Sequence, residues 1–214
     1  HFGSLFAVIF YLRTDIFKII TDLISNNRSL SWGYQVTKNL ILASLPLIFF
    51  GFLVNFFSFK FLQLIKIVGW TTLVFGIILG ISDKVEIKKN YMPKLKDSII
   101  IGIFQSLALI PGVSRSGIVI TLGRFLGHSR SSSSKFALFL SIPAIMGAST
   151  LKLFNIIFDN KVYFTNDMII GFFLSFIFAY FTIKIFMSYI EKTSLKIFVI
   201  YRIILGITIL YLIY

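Results

Sequence analysis

The residues best suited to chemistry lie in one short segment, 111–117, with the sequence PGVSRSG. Proline and glycine end an incoming helix, and Ser114 is a suitable N-cap for a new helix. The start of a helix presents free backbone N–H groups and the positive end of its dipole, which favour an anion. Arg115 adds a planar charged fork that matches phosphate oxygens, while Ser114 and Ser116 add hydroxyl groups. The segment therefore predicts a site for a phosphate-like anion.

Arg115 is the most informative residue of this segment, because apolar runs lie on both sides of it. A charge within a membrane costs on the order of 2.5–3.5 kcal/mol on insertion scales, so it usually faces a cavity or an anionic partner. Ser114 would serve as a nucleophile if a base lay beside it. The alternative is an ordinary surface loop in which Arg115 extends to lipid headgroups. The residues alone leave both interpretations open.

Other polar residues are given mainly structural interpretations. Arg124 and Arg130 are interpreted as anchors at the membrane–water interface, with a role in substrate binding as the alternative. His128 is expected at the interface, although it could act as a base, and residues 131–134 (SSSS) are expected to form a polar turn. All eight acidic residues lie in loops or at the ends of apolar runs, which argues against an intramembrane proton relay. The chain has no cysteine and no cluster of acids and histidines, so it contains no self-sufficient metal site.

The composition indicates that a membrane surrounds these residues. Of the 214 residues 57% are hydrophobic and only 14% are charged, and the mean hydropathy is +0.91. A soluble domain has about 25% charged residues, so this chain has too little polar surface to cover a soluble globule. The net charge is +13, and most basic residues lie between apolar runs. Anionic lipid headgroups explain that charge better than nucleic acid does.

The apolar runs predict an all-α, polytopic helical bundle that forms a single membrane domain over residues 1–214. We count about six spanning or near-spanning runs, and two shorter pieces around the Pro111 break predict a re-entrant broken helix. The polar stretch from Arg13 to Lys38 is expected to hold an amphipathic interfacial segment. By the positive-inside rule this stretch and the 84–96 loop face the cytoplasm, which places the segment 111–117 toward the outer side. The predicted runs are Leu5–Leu12, Leu40–Phe59, Ile67–Ile81, Phe136–Leu151, Met168–Ile183 and Ile197–Tyr214, with the short pieces Ile99–Ile110 and Ile118–Leu126.

Several stretches of the chain resemble one known family. Residues 105–117, QSLALIPGVSRSG, resemble the second signature of the undecaprenyl-diphosphate phosphatases of the bacitracin-resistance type. Residues 136–148, FALFLSIPAIMGA, are similar to the next helix of that family, and residues 200–202, IYR, resemble its last helix. The opening residues 1–8, HFGSLFAV, resemble the helix that follows the first signature of the family. The resemblance thus extends over nearly the whole chain.

The resemblance implies a multi-pass enzyme of the bacterial inner membrane that hydrolyses undecaprenyl diphosphate to the monophosphate carrier of cell-wall synthesis. Arg115 would bind the diphosphate, and Ser114 would bind phosphate or take part in the attack. Gly112, Ser116 and Gly117 complete the implied substrate-binding segment. The family has inverted repeats, each with a re-entrant segment, and a divalent cation, Mg²⁺ or Ca²⁺, supports its activity. The implied partners are undecaprenyl diphosphate and membrane lipids, without nucleic acid, and a homo-oligomer remains open.

The chain also departs from the family pattern. The first signature, with its glutamates and a histidine, has no counterpart here and would precede His1. Those residues supply the metal and acid–base functions in the family, so no metal ligands are expected in this chain and residues 1–214 are expected to be inactive alone. Lys135 stands where relatives often carry an acidic residue, which puts a local ion pair in doubt. A lipid-phosphate carrier without hydrolysis and a purely structural membrane subunit are the alternatives.

Overall fold

The regular structure of this protein is helical. The computed structural model describes residues 1–25, 31–57, 65–158 and 166–214, without the side chains of 55–57, 151–158 and 166. Within these ranges the remaining regular feature is one isolated bridge between Lys89 and His128, so the predicted all-α fold is confirmed. The helices are α1 (Phe2–Tyr11), α2 (Arg13–Ile24), α3 (Trp32–Phe57), α4 (Ile65–Asp83), α5 (Leu95–Gln105), the 3-10 helix η1 (Ser106–Leu109), α6 (Arg115–Phe125), α7 (Arg130–Phe158), α8 (Asn166–Lys192) and α9 (Lys196–Ile213).

Within the described ranges, four helices are long and apolar enough to cross a bilayer, which takes about 20 apolar residues. Their mean hydropathy is 1.8 to 2.1, and four of the six predicted runs overlap them. Residues 58 and 59 of the run Leu40–Phe59 lie outside the described part. Of the other two runs, the first lies on the ten-residue α1, and the fourth lies inside the 29-residue α7, which contains Pro143. The four candidate spans are Trp32–Val54, Ile65–Asp83, Asp167–Lys192 and Lys196–Ile213.

The predicted break is a helical hairpin that enters and leaves by the same end of the bundle. Helices α5 and η1 run inward, the backbone turns at 110–114, and α6 returns. Where α6 has returned, the N–H of Lys88 donates to the carbonyl of Gly127 at 2.9 Å, and the N–H of Ser129 donates to that of Lys89 at 2.8 Å. The loop before α5 and the turn after α6 therefore lie together, which confirms the predicted re-entrant helix. We refer to residues 110–117 as the tip.

The end of the bundle that carries the 84–94 loop is rich in lysine and arginine, and we refer to it as the basic end. Here the N–H of Leu195 donates to Asp83 Oδ2 at 3.0 Å, and Lys135 Nζ lies 2.8 Å from Asp15 Oδ1. These contacts bring α2, the end of α4, and the starts of α7 and α9 to the same end. The positive-inside rule predicts that this end faces the cytoplasm and that the tip points toward the outer side.

The polar stretch 13–38 contains the amphipathic helix α2. None of its residues is buried, and Phe17, Ile20 and Ile24 expose apolar side chains. Asp22 Oδ2 accepts a hydrogen bond from the N–H of Gly33 at 2.7 Å, which places a negative charge at the positive start of α3. Helix α3 already begins at Trp32, so the helix starts eight residues before the predicted apolar run at Leu40. Residues 26–30 of this stretch lie outside the described part.

Helices α4 and α9 pack closely through small residues, and this packing positions the site. A Cβ atom on Gly206 would lie 2.9 Å from Leu73, and one on Gly76 would lie 2.9 Å from the Cβ of Arg202. Glycines at a helix interface let two backbones approach, which is how helices commonly associate in membranes. The approach brings the buried Arg202 of α9 across α4 to the tip of the hairpin.

Candidate anion site at the tip of the re-entrant hairpin

The tip is held by hydroxyl groups of α4. Thr71 Oγ1 donates to the carbonyl of Pro111 at 2.6 Å, and Thr72 Oγ1 lies 3.3 Å from the carbonyl of Gly112. Gly112 has a φ of +90°, and a Cβ atom there would lie 2.2 Å from Thr71 Oγ1. Only glycine tolerates both this conformation and this approach. The sequence PG therefore fixes the tip against α4.

Ser114 is the N-cap of α6, as predicted. Its Oγ accepts a hydrogen bond from the N–H of Gly117 at 3.2 Å. The residue has a φ of 67°, which is uncommon for a residue other than glycine and often marks a functional loop. In the described part of the chain, no His, Asp or Glu side chain is hydrogen-bonded to the Ser114 hydroxyl. The structure thus gives Ser114 a capping role and shows no base beside it.

Arg115 follows the cap as the first residue of α6, and it is partly buried. No described residue forms a hydrogen bond or an ion pair with its guanidinium. The N–H groups of Arg115 and Ser116 are among the first of the helix, so the helix itself offers them no acceptor. Ser114 and Ser116 are both exposed. The predicted residues therefore assemble N–H groups, hydroxyls and an unpaired guanidinium at one helix start, a suitable combination for an anion.

Sequence reasoning missed Arg202 as a member of this site. Its side chain is only 8% exposed, and Nη2 donates to the carbonyl of Gly112 at 2.7 Å. A Cβ atom on Gly117 would lie 2.8 Å from Arg202 Nη1, so this glycine leaves room for the guanidinium. Arg202 therefore connects both ends of the tip to α9. The signal was an arginine in the middle of an apolar run, the same signal that singled out Arg115.

The interpretation of Arg124 as an interface anchor is wrong. Its side chain is 1% exposed and donates to the carbonyls of His128 at 2.5 Å, Asp83 at 3.3 Å and Val85. Its Nε lies 3.9 Å from Asp83 Oδ1. Carbonyl groups at the end of α4 and in the following loop satisfy this charge, so it needs no headgroup. Arg130, the other predicted anchor, also lies at the basic end, where it forms an ion pair with Asp83 at 2.5 Å.

Two more interpretations at the basic end are corrected. His128 is completely buried rather than interfacial, and its Nε2 lies 2.8 Å from Asp97 Oδ2. Residues 131–134 form the first turns of α7 rather than a polar turn. Ser132 Oγ donates to the carbonyl of Tyr91 at 2.6 Å, and Ser133 and Ser134 are buried. Both errors arose because polar residues were assigned to a surface that the 84–94 loop in fact covers.

The Asp97 carboxylate is the charged partner in this buried corner. Lys89 Nζ lies 2.7 Å from its Oδ2, and His128 Nε2 lies 2.8 Å from the same atom. Burial raises the pKa of Asp97, but the hydrogen bonds from Lys89 and His128, together with their charges, outweigh it and lower the pKa overall. Asp97 therefore stays ionised and stabilises the loop before α5.

The described residues do not provide the metal site that the resemblance implies for the family. No group of three His, Asp or Glu side chains among them could hold a metal ion. Asp83 and Asp97 lie at the basic end, where Arg130 and Lys89 bind them. A divalent cation takes several oxygen ligands, and the tip as described offers hydroxyl groups but no carboxylate. We therefore assign no chemical step to a cation here.

Comparisons with known proteins identify the family to which the chain belongs. A family model for the bacitracin resistance protein BacA matches residues 1–208. A relative from Pelagibacter ubique is 43% identical over 220 residues, which cover 100% of this chain and 80% of that protein. Relatives from Marinobacter nauticus and Campylobacter curvus are 38% and 35% identical and are covered to 79% and 81% of their lengths. Each of the three is named undecaprenyl-diphosphatase.

The chain belongs to the bacitracin resistance protein BacA family. The resemblance drawn from residues 105–117 is thereby confirmed. Together with the four apolar spans, membership of this family shows a multi-pass membrane protein. The roles of the individual residues at the tip remain predictions.

Proposed function

We propose that this protein hydrolyses undecaprenyl diphosphate to undecaprenyl phosphate and phosphate, with the diphosphate bound at the tip. The names of the relatives support the reaction and the substrate. The observation that carries the location is Arg115, a cation at the start of α6 for which the described residues offer no anionic partner. A helix start disfavours an uncompensated positive charge, so the arrangement favours the binding of an anion beside Arg115.

Each group at the tip has a definite task in this proposal. Arg115 binds two oxygens of the diphosphate, and the free N–H groups of Arg115 and Ser116 donate hydrogen bonds to a third oxygen at the helix start. The hydroxyl of Ser116 donates a further hydrogen bond. Ser114 holds the helix start in shape and lies within reach of the phosphate. These donors stabilise the negative charge that shifts within the phosphoryl group during its transfer.

The tip supplies charge stabilisation but no base in the described part of the chain. Phosphoryl transfer to water also needs an activated nucleophile. We therefore propose that residues 1–214 alone bind the diphosphate but do not release phosphate, and that the intact protein does both. The divalent cation implied by the family resemblance stays a prediction, to be tested with a chelator on the intact protein.

We also propose that the reaction takes place in the bacterial inner membrane, with the tip toward its outer face. The support is the charge asymmetry, because Lys84, Lys88, Lys89 and Lys96 lie at the basic end, while residues 110–117 of the tip contain one charged residue, Arg115. By the positive-inside rule, such an asymmetry favours a cytoplasmic location for the basic end. The lipid diphosphate would then be hydrolysed at the opposite side.

The test is phosphate release from undecaprenyl diphosphate by the intact protein. Arg115→Ala should lower the rate by at least about 100-fold, the effect of removing one donor to a developing anion. Lys96→Ala is the matched control, because it removes an exposed cation at the basic end. An unchanged rate in Arg115→Ala would remove Arg115 from the site. Lipid binding by the intact wild type without any phosphate release would instead favour the carrier function.

A further inference from the structure

A polar cavity lies at the basic end, the end of the bundle away from the tip. It has a volume of about 500 Å³, within the usual range for a small-molecule site. Its wall is formed by the end of α1, the start of α2, the start of α7 and the last turns of α8. We refer to it as the headgroup cavity. Its charged lining residues are Arg13, Asp15, Lys135, Lys184 and Glu191.

The cations of this cavity are not fully neutralised by the protein. Asp15 forms an ion pair with Lys135, with 2.8 Å between Oδ1 and Nζ. Glu191 accepts only a long hydrogen bond, 3.5 Å from Ser131 Oγ. Lys184 has no hydrogen bond or ion pair with any described residue, and Arg13 contacts the ring and carbonyl of Phe10 rather than an acid. The cavity therefore has three cations against two acids, and Lys184 and Arg13 have no acidic partner among the described residues.

An apolar groove of about 570 Å³ adjoins the headgroup cavity and shares Lys184 with it. The groove runs along α8, where Phe181 and Ile185 are 56% and 68% exposed. Lys192 lies at its polar margin. The polar headgroup cavity and the apolar groove therefore share one residue, Lys184. This arrangement fits an amphiphile with an anionic head and a hydrocarbon tail.

The depth of the cavity fits a phospholipid as well. Arg13 and Asp15 belong to the first turn of α2, an exposed helix whose apolar side chains Phe17 and Ile20 suit the boundary between headgroups and acyl chains. The apolar groove lies on α8, a candidate span whose most apolar 18-residue window contains no buried residue. The cavity and the groove therefore lie side by side along the last turns of α8, with Phe181 at the inner end of the groove and Lys192 at the basic end.

We propose that the headgroup cavity and its groove form a binding site for an anionic glycerophospholipid of the leaflet at the basic end. The lipid phosphodiester binds Lys184 and Arg13, and one acyl chain lies along Phe181 and Ile185. The net positive charge of the cavity favours an anionic lipid such as phosphatidylglycerol. Phosphatidylcholine is less favoured, because its choline group would add a further positive charge. This site is separate from the tip and does not depend on the proposed hydrolysis.

The test is native mass spectrometry of the intact protein released from nanodiscs that contain equal amounts of phosphatidylglycerol and phosphatidylcholine. Wild type should retain phosphatidylglycerol preferentially. Lys184→Gln should lower that retention by about fivefold, the size expected for one lysine at an anionic membrane surface. Lys96→Gln is the matched control, because it removes an exposed lysine at the same end but outside the cavity. Phe181→Ser should also lower retention without altering the charge.

Three results would overturn the site. Equal retention by wild type and Lys184→Gln shows that this lysine binds no lipid, and an equal loss in Lys96→Gln shows that only the overall charge matters. Displacement of the lipid by inorganic phosphate at the same concentration as by added phosphatidylglycerol shows a site for free phosphate. Thermal unfolding of each variant in detergent, with a midpoint near that of wild type, confirms that the compared proteins are folded.

Discussion

Two arginines at opposite ends of the 11-residue helix α6 have opposite environments. Arg115 begins the helix, and its guanidinium has no hydrogen-bond or ion-pair partner in the described part of the chain. Arg124 lies near the helix end, is 1% exposed, and donates to three backbone carbonyls close to the Asp83 carboxylate. Both stand in an apolar part of the sequence. The contacts that other elements supply are what distinguish them.

The helix dipole adds to this difference. A cation at the end of a helix is stabilised by the exposed carbonyl groups, whereas a cation at its start meets the positive end of the dipole. Arg124 is thus held by its own helix as well as by α4. Arg115 is stabilised by neither, and the proposed function supplies an anionic ligand as its partner. The comparison therefore predicts that Arg124 contributes to stability and Arg115 to binding.

The largest expected effect is on stability, and it should be much larger for Arg124 than for Arg115. Arg124→Met should lower the free energy of unfolding by about 3–5 kcal/mol, because it leaves Asp83 with fewer partners and several carbonyls unsatisfied. Arg115→Met should not lower it, because no contact within the described chain is lost. Thermal unfolding of both variants in the same detergent measures the difference.

Arg130→Met provides the intermediate case. The side chain of Arg130 is 27% exposed, and it forms an ion pair with Asp83, the same carboxylate that lies near Arg124. Its loss of stability should lie between those of the other two variants. Equal losses in the free energy of unfolding for Arg115→Met and Arg124→Met would contradict this distinction, because both arginines would then contribute to stability.

Arg202 tests whether the tip must be held in place for binding. It is a positioning residue in our account, because its Nη2 donates to the carbonyl of Gly112 in the tip. Arg202→Met should lower phosphate release by about 10- to 100-fold, since a displacement of roughly 1 Å at an active site can cost that much. Thr72→Val should have a smaller effect, because its hydrogen bond to the same carbonyl is longer. Full activity in Arg202→Met would show that α4 alone holds the tip.

Much of the fold could be predicted from the sequence, because the membrane imposes a simple rule on apolar segments. The runs in α3, α4, α8 and α9 are long enough to span, and residues 99–126 are too short on each side of Pro111 to do so. The break itself follows from proline and glycine. The early start of α3 at Trp32 was not foreseen, because a hydropathy run does not mark the polar first turns of a helix.

The site was predicted where its function depends on adjacent residues and missed where it depends on tertiary contacts. Ser114 and Arg115 share one short segment, so the cap and the charge at the helix start could be inferred locally. Arg202 reaches Gly112 from 90 positions away in the sequence, and spacing does not reveal such a contact. Arg124 and His128 were misplaced for the same reason, since the loop that buries them lies on a different part of the chain.

The buried corner at the basic end should depend on pH through Asp97. The folded state lowers the pKa of this carboxyl below its ordinary value of 3.8, so its ion pairs contribute stability above that pH. The contribution is lost as the pH falls through the lower folded value. The midpoint of thermal unfolding should therefore differ between wild type and Asp97→Asn at neutral pH, and the difference should shrink below about pH 4. A difference that is constant with pH would contradict the role of the charge.

The smallest expected effect concerns Lys135, the position where an ion pair was in doubt. The structure provides the pair, because Asp15 Oδ1 lies 2.8 Å from Lys135 Nζ, with side chains 23% and 35% exposed. Such a partly exposed pair should contribute only about 0.2–1 kcal/mol. Lys135→Glu and Asp15→Lys should each lower the unfolding midpoint, and the double exchange should recover part of the loss, more at low salt than at high salt. Strictly additive losses would mean that α2 and α7 are held together by apolar contacts and that this pair, unlike the one at Arg124, contributes nothing.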